Sequence, residues 1–231
     1  MLIDPQISAV DPRPILDRVE RAARRAGRDP IEITLIAVGK SQPAERLRQA
    51  AGAGIRDFGE NYLQEAIGKM DRLADVALRW HFIGRLQSNK TRPVAGRFDW
   101  VHTVDRVDLA RRLSDQRSAH RPPLEVCIQV AVAAEPAKAG LAPQALPEAA
   151  AAIAALPRLR LRGLMCLPPY ETETAKQRAA FARLRRLRED LNANGFALDT
   201  LSMGMSGDFE AAIAEGATHV RIGTALFGAR R

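Results

Sequence analysis

Lys40 is a residue whose type and position in this chain suggest chemistry. It follows the near-continuous apolar run Ile33–Gly39, which is typical of a parallel β-strand buried on both faces. The carboxyl end of such a strand is where α/β folds place catalytic and binding residues. The Lys40 amine therefore has three candidate roles: a surface charge, a contact to an anion, or a nucleophile that forms a Schiff base.

Two later turns could bind a phosphate group. Ser206-Gly207 opens the predicted helix Asp208–Glu215, and Gly223-Thr224 opens a short turn. Glycine lets the backbone approach an anion closely, and hydroxyl and N–H groups donate hydrogen bonds to it. The same residues could instead be only a helix cap and a tight turn. A serine hydrolase is disfavoured, because Asp208 replaces the final glycine of a G-x-S-x-G nucleophile elbow.

Arg221 and His81 are two further candidates within predicted strands. Arg221 could contact an anion or form a structural ion pair. A lone histidine inside a strand is more often a satisfied core group than a catalyst, and the sequence shows no carboxylate paired with His81.

Eight apolar, β-rich segments would position these residues. They are Ile33–Gly39, Ile55–Gly59, Trp80–Gly84, Trp100–Val104, Leu124–Val130, Leu161–Leu167, Thr200–Gly204 and His219–Gly223. Segments of helical composition alternate with them, which predicts βαβ units and a parallel sheet. Eight such units predict an α/β fold closed into a single (β/α)₈ TIM barrel, with an extra helix from about Pro14 to Ala26 ahead of it. We expect one domain over residues 1–231, with a lead and helix in 1–30 and the barrel in 31–228.

Composition narrows the partners. The formal net charge of +8 favours acidic partners, either phosphorylated metabolites or nucleic acid. The densest basic cluster, Arg183–Arg188, shares its segment with Phe181, Leu184 and Leu191 at helical spacing, which is typical of the solvated face of an amphipathic helix. Few aromatic residues are available to stack on bases, so we expect no nucleic-acid partner.

The remaining composition points to an ordinary intracellular protein. Cys127 and Cys166 lie in apolar runs without a C-x-x-C motif, which indicates core residues rather than a disulfide or a metal site. The sequence shows neither a secretion signal nor an apolar stretch of membrane-spanning length. We therefore expect a cytoplasmic monomer that binds no membrane and no metal.

Several stretches of the chain resemble one known family. They are Ala37–Lys40, Phe58–Tyr62, Trp80–Gly84, Leu86–Lys90, Arg162–Met165, Leu201–Ser206 and Val220–Gly228. In this order, and over the chain from about Ile33 to its end, they are similar to the YggS/PROSC family of pyridoxal-phosphate-binding homeostasis proteins. Gly39, Arg85 and Gly207 depart from the residues most common in that family.

The resemblance implies a barrel related to the N-terminal domain of alanine racemases, the type III fold of pyridoxal 5′-phosphate (PLP) proteins. It implies that Lys40 holds PLP as a Schiff base and that Arg221 contacts the pyridine nitrogen. It further implies that Ser206, Gly223 and Thr224 cradle the phosphate. The residues implied to lie around the ring are Asn61, His81 and Met203.

The chemistry of Arg221 bears on whether such a protein is an enzyme. PLP catalyses carbanion chemistry when its protonated ring nitrogen acts as an electron sink. Arginine is always charged and can only donate, so it disfavours that protonation. In racemases of this fold a second base comes from a further β domain. The chain ends seven residues beyond Thr224 (231 − 224 = 7), and we expect no such domain here.

The function expected from the resemblance is therefore PLP homeostasis with little or no turnover and no catalytic residue. Amino acids could exchange with Lys40 by transimination, and PLP-dependent apoenzymes are candidate transient partners. Two alternatives stay open at this point. One is a fold-type III amino-acid racemase, and the other is a phosphosugar-type barrel enzyme that uses Lys40 without PLP.

Overall fold

Eight parallel strands close into a barrel in the computed structural model, which describes residues 9–132 and 140–228. The strands are β1 Thr34–Val38, β2 Asp57–Glu60, β3 Arg79–Phe82, β4 Trp100–Val104, β5 Leu124–Gln129, β6 Leu159–Met165, β7 Thr200–Met205 and β8 His219–Ile222. The predicted (β/α)₈ fold is confirmed. The predicted lead in residues 1–8 lies outside the described residues, as do 133–139 and 229–231.

Helices follow the strands around the outside of the barrel. They are α1 Arg13–Arg25, α2 Ala44–Gly52, α3 Leu63–Arg72, α4 Thr91–Arg97, α5 Val107–Gln116, α6 Leu146–Ala154, α7 Thr174–Ala193, α8 Phe209–Ala214 and the short α9 Thr224–Phe227. Three 3₁₀ turns, Pro30–Glu32, Ser88–Lys90 and Pro143–Ala145, precede β1, α4 and α6. The extra N-terminal helix predicted near residues 14–26 is α1, and it packs against α8.

Strand register brings the candidate residues to one rim. β1 pairs with β8 through Ile36–Arg221 and Ala37–Ile222, which closes the barrel. On its other side, β1 pairs with β2 through Val38–Gly59. The residues that follow these three strands, Lys40, Asn61 and Gly223, therefore lie at the same carboxyl-terminal rim.

Two layers of side chains are buried, one on each side of the strands. A large apolar cluster fills the space between barrel and helices, and a smaller one, Trp100, Cys127 and Met165, lies apart from it. Cys127 and Cys166 are both buried free thiols, as predicted. Burial raises the pKa of Cys166 to about 12, which keeps this thiol unreactive.

The arginine-rich segment is the predicted amphipathic helix. Phe181 and Leu184 of α7 are buried, whereas Arg183 and Arg186 are exposed. Arg185 contacts Glu189 and the buried Glu215 of the neighbouring helix end. This pairing uses part of the basic cluster for packing within the protein. Among the described residues, no helix has the length and apolar character needed to cross a membrane.

Candidate functional site

Lys40 is half-buried at the rim, two residues beyond β1. Its ammonium group lies over the ring of Tyr62, 5.1 Å from the centroid, and Tyr62 is an exposed residue. Such an arrangement is a cation–π contact. Lys40 forms no salt bridge with any residue in 9–132 or 140–228, so its amine is not committed to a carboxylate.

The backbone on both sides of Lys40 is held in place. The carbonyl of Gly39 accepts a hydrogen bond from Lys69 Nζ at 2.6 Å, and the N–H of Gly39 donates to the Gly59 carbonyl at 2.9 Å. The N–H of Ser41 donates to Glu65 Oε1 at 2.6 Å. Ser41 has a φ of +60°, a left-handed conformation that costs a non-glycine residue free energy. The contacts around the turn therefore fix the direction in which Lys40 leaves the strand.

A buried ion pair lies beneath this turn. Lys69 Nζ is 2.8 Å from Glu60 Oε1 and 2.6 Å from Glu65 Oε1. Burial raises the pKa of Glu60 to about 7, although the attraction of Lys69 opposes the rise. The second oxygen of Glu60, Oε2, has no hydrogen-bond partner within the described residues. Sequence reasoning missed Lys69, whose available signal was its position four residues after Glu65 on α3.

Close contacts explain why two positions near the rim are occupied by glycine. A Cβ at Gly39 would lie 2.3 Å from Glu60 Oε1, and a Cβ at Gly84 would lie 2.0 Å from the Asn61 carbonyl oxygen. Gly39, one of the departures from the family pattern, thus leaves room for the buried carboxylate. Arg85, another departure, is exposed.

Arg221 is buried inside the barrel at β8. Its Nη1 donates to Ser202 Oγ at 2.8 Å, and its Nη2 donates to the Cys166 carbonyl at 3.0 Å. Burial lowers the pKa of Arg221. In the part of the chain that the structure describes, no carboxylate forms a salt bridge with it. The site therefore contains a desolvated positive charge without a paired counter-ion among the described residues, which favours a ligand that accepts hydrogen bonds from it.

The turns after β7 and β8 are joined to each other. Ser206 Oγ accepts a hydrogen bond from the Ala225 N–H at 3.3 Å. Ser206 therefore bonds to the start of α9, while Asp208 Oδ1 accepts from the Met205 N–H at 2.6 Å within the turn after β7. Thr224 begins α9 directly after Gly223. The three predicted phosphate ligands thus lie on two connected turns.

The three residues predicted around the ring occupy different environments. Asn61 is half-buried at the rim, whereas Met203 is fully buried in the large apolar cluster. His81 is fully buried within the barrel, and its Nε2 lies 2.9 Å from Asp57 Oδ1. The sequence indicated no carboxylate partner for His81, and this was wrong. Asp57 lies 24 residues away and reaches His81 because β2 pairs with β3.

The donor set at the rim has a definite chemical preference. It combines a primary amine at Lys40, the unpaired buried cation of Arg221, and hydroxyl and backbone N–H groups around Ser206 and Gly223. An amine can form a Schiff base with an aldehyde, a guanidinium group can donate to a hydrogen-bond acceptor, and hydroxyl and backbone N–H groups bind anions. These residues fit a ligand that carries both an aldehyde and a phosphate, as PLP does.

Comparison with known proteins places the chain in a family. The family described as alanine racemase, N-terminal domain, matches residues 10–231. The pyridoxal phosphate homeostasis protein of Pseudomonas aeruginosa is 62% identical over 213 residues, covering 92% of this chain and 91% of that protein. The chain belongs to the alanine racemase N-terminal domain family. The Escherichia coli K12 protein of the same name is 51% identical over 219 residues, covering 94% of each chain.

Solved structures agree with this assignment. PipY of Synechococcus elongatus, in a structure with PLP bound, is 40% identical with a TM-score of 0.82, covering 91% of this chain and 99% of PipY. Alanine racemase from Corynebacterium glutamicum is 18% identical with a TM-score of 0.68, and that likeness concerns the fold alone. The predicted relation to the racemase barrel and to the homeostasis proteins is confirmed.

Proposed function

We propose that this protein binds PLP as a Schiff base on Lys40 and serves intracellular PLP homeostasis with little or no catalytic turnover. The observation that carries the proposal is the rim itself. There the Lys40 amine follows β1, and the neighbouring strand β8 carries the buried guanidinium group of Arg221, which has no carboxylate partner among the described residues. The names of the relatives and the PLP-bound PipY structure support it.

Each residue has a stated part in holding the cofactor. Lys40 would form the covalent link, and Arg221 would donate to the pyridine nitrogen. Ser206, Gly223 and Thr224 would bind the phosphate through a hydroxyl and backbone N–H groups. Asn61, His81 and Met203 stay predicted neighbours of the ring. All of these residues come from one chain, so we propose that a monomer suffices for binding.

Arg221 also bears on turnover. Bound PLP supplies an electron sink when its ring nitrogen is protonated. A guanidinium can only donate to that nitrogen, and therefore disfavours its protonation. Retention of the cofactor, with exchange of amino acids at Lys40, is favoured over carbanion chemistry. PLP-dependent apoenzymes are the proposed recipients.

Absorbance and chemical trapping test the covalent link. The purified protein incubated with PLP should gain a visible absorbance band, and borohydride should fix one PLP mass on a peptide that contains Lys40. Lys40→Ala should lose both signals. Lys176→Ala, which removes an exposed lysine of α7, should keep them. Trapping at another lysine, or none in the wild-type protein, would overturn the proposal.

Turnover is tested separately on the PLP-loaded protein. α-Proton exchange in D₂O, followed by NMR across the common amino acids, should stay far below the typical enzyme range of about 1–10³ per second. Exchange within that range for any amino acid would instead support the racemase alternative.

A further inference from the structure

A chain of polar side chains crosses the interior of the barrel below the rim. Arg221 Nη1 donates to Ser202 Oγ, which lies 2.8 Å from His102 Nδ1. His102 Nε2 lies 2.9 Å from His81 Nδ1, and His81 Nε2 lies 2.9 Å from Asp57 Oδ1. All five residues are buried. This series of hydrogen bonds therefore links Arg221, the proposed cofactor contact, to the Asp57 carboxylate at the amino-terminal end of β2.

The proton positions in this chain follow from its two ends. An ionised carboxylate can only accept, so Asp57 requires a proton on His81 Nε2. With that ring neutral, His81 Nδ1 must accept from His102 Nε2, and His102 Nδ1 must then accept from the Ser202 hydroxyl. The oxygen of Ser202 is left with its lone pairs for Arg221. Every donor points away from Arg221 and toward Asp57.

The surroundings support this arrangement. Burial lowers the pKa of both His81 and His102, which favours neutral rings. Burial opposes ionisation of Asp57, but hydrogen bonds from His81 and Arg79 together lower the pKa of Asp57. Trp100 stacks on both rings, with centroid distances of 5.6 Å to His81 and 5.4 Å to His102. These contacts restrict the orientations that the two rings can adopt.

We infer that Asp57, His81, His102 and Ser202 are positioning residues that orient the Arg221 guanidinium toward the cofactor's ring nitrogen. The inference rests on the proposed function, because it concerns the same cofactor contact. Two of the five N–H groups of Arg221 are committed to Ser202 and to the Cys166 carbonyl, which fixes the plane of the group and leaves the others for a ligand. Asp57, at the opposite end, sets the donor-to-acceptor direction of the hydrogen bonds.

Asp57→Asn tests the direction with almost no change in shape. In the wild-type protein Arg79 donates to Asp57 Oδ2 at 2.7 Å. An asparagine would keep its oxygen toward Arg79 and turn its NH₂ group toward His81. His81 Nε2 would then have to accept, which reverses the proton positions on both histidines. Asp199→Asn is the matched control, since Asp199 is also paired with an arginine, Arg162.

Histidine ¹H–¹⁵N NMR of the PLP-free protein is the first measurement. The wild-type protein and Asp199→Asn should carry the proton of both rings on Nε2, and Asp57→Asn should move it to Nδ1. The opposite tautomers in the wild-type protein, or no change in Asp57→Asn, would overturn the proposed direction of these hydrogen bonds. This measurement needs no bound PLP, so it does not depend on whether the proposed function holds.

PLP binding to Ser202→Ala is the second measurement. Loss of the hydroxyl should weaken PLP binding about tenfold, since a hydrogen bond to a charged group is removed, and should shift the visible absorbance maximum. Ser114→Ala, which removes a buried serine hydroxyl on α5, should change neither quantity. If the wild-type protein binds PLP and Ser202→Ala matches it in both, the positioning role is refuted. If the wild-type protein binds no PLP, the proposed function is refuted instead.

Discussion

Replacing Lys69 by methionine should destabilise the protein in a way that depends on pH. Lys69 is 7% exposed, and its ammonium group contacts Glu60, Glu65 and the Gly39 carbonyl. Methionine has a similar length but no charge, so Glu60 would be left buried beside an apolar side chain. A buried carboxylate without a partner takes up a proton rather than remain charged.

The sign follows from the pKa of Glu60, which folding raises from 4.5 to about 7. Between these values the unfolded chain releases the proton first, so the wild-type unfolding free energy falls as pH rises, by roughly 3 kcal/mol in all. Removing Lys69 raises the folded pKa further. Above pH 7 the variant should therefore continue to lose about 1.4 kcal/mol per pH unit, or roughly 2 kcal/mol more than the wild-type protein by about pH 8.5.

Urea unfolding from about pH 6 to pH 8.5, followed by tryptophan fluorescence, measures this difference. Glu60→Gln combined with Lys69→Met should remove the added pH dependence, because the buried carboxyl group that takes up the proton is no longer present. Lys176→Met, at a lysine that is 60% exposed, should cost under about 1 kcal/mol at every pH. A Lys69→Met loss that is the same at every pH would show that Glu60 is not the titrating group.

Three further changes have defined outcomes. Gly84→Ala should lower the free energy of unfolding by roughly 3 kcal/mol in urea unfolding, because its Cβ would lie 2.0 Å from the Asn61 carbonyl oxygen. Gly68→Ala, in open space on α3, should instead slightly raise the melting temperature. Arg117→Met should lower the free energy of unfolding by roughly 3 kcal/mol in urea unfolding, since it leaves three carbonyl groups without their donor. A near-neutral result would contradict this. His102→Phe should make the loss of stability below pH 6.5 shallower than in the wild-type protein, by about 1.4 kcal/mol per pH unit, because unfolded His102 binds a proton that the buried ring excludes. An unchanged slope would assign that proton to another group.

The barrel was predictable from the sequence because its strands are buried on both faces. Such strands form unbroken apolar runs, and eight of them at regular spacing have few alternative architectures. Strand ends were less predictable. β2 begins at Asp57 rather than Ile55, and β6 begins at Leu159 rather than Leu161, because the first hydrogen bonds of each strand depend on its neighbour's register.

The rim residues were predictable for a related reason, since parallel strands place their carboxyl ends together. The hydrogen-bonded series of side chains inside the barrel was not predictable from the sequence. Asp57, His81, His102 and Ser202 lie on four strands, and their contacts depend on which side chains point inward at the same height of the barrel. Nothing in the local sequence around His81 indicates a partner 24 residues earlier. The Lys69 contact with the Gly39 carbonyl depends in the same way on how α3 lies relative to the turn after β1.

The pairing of β1 with β8 has a consequence for how the protein is made. Lys40 follows the first strand to be synthesised, and Arg221 belongs to the last of the eight. The two are neighbours only through barrel closure, a contact between distant parts of the chain that forms slowly relative to local structure. A nascent chain therefore exposes the Lys40 amine long before Arg221 exists to complete the site. Under the proposed function, full ligand binding at this rim would require that the last strand has docked.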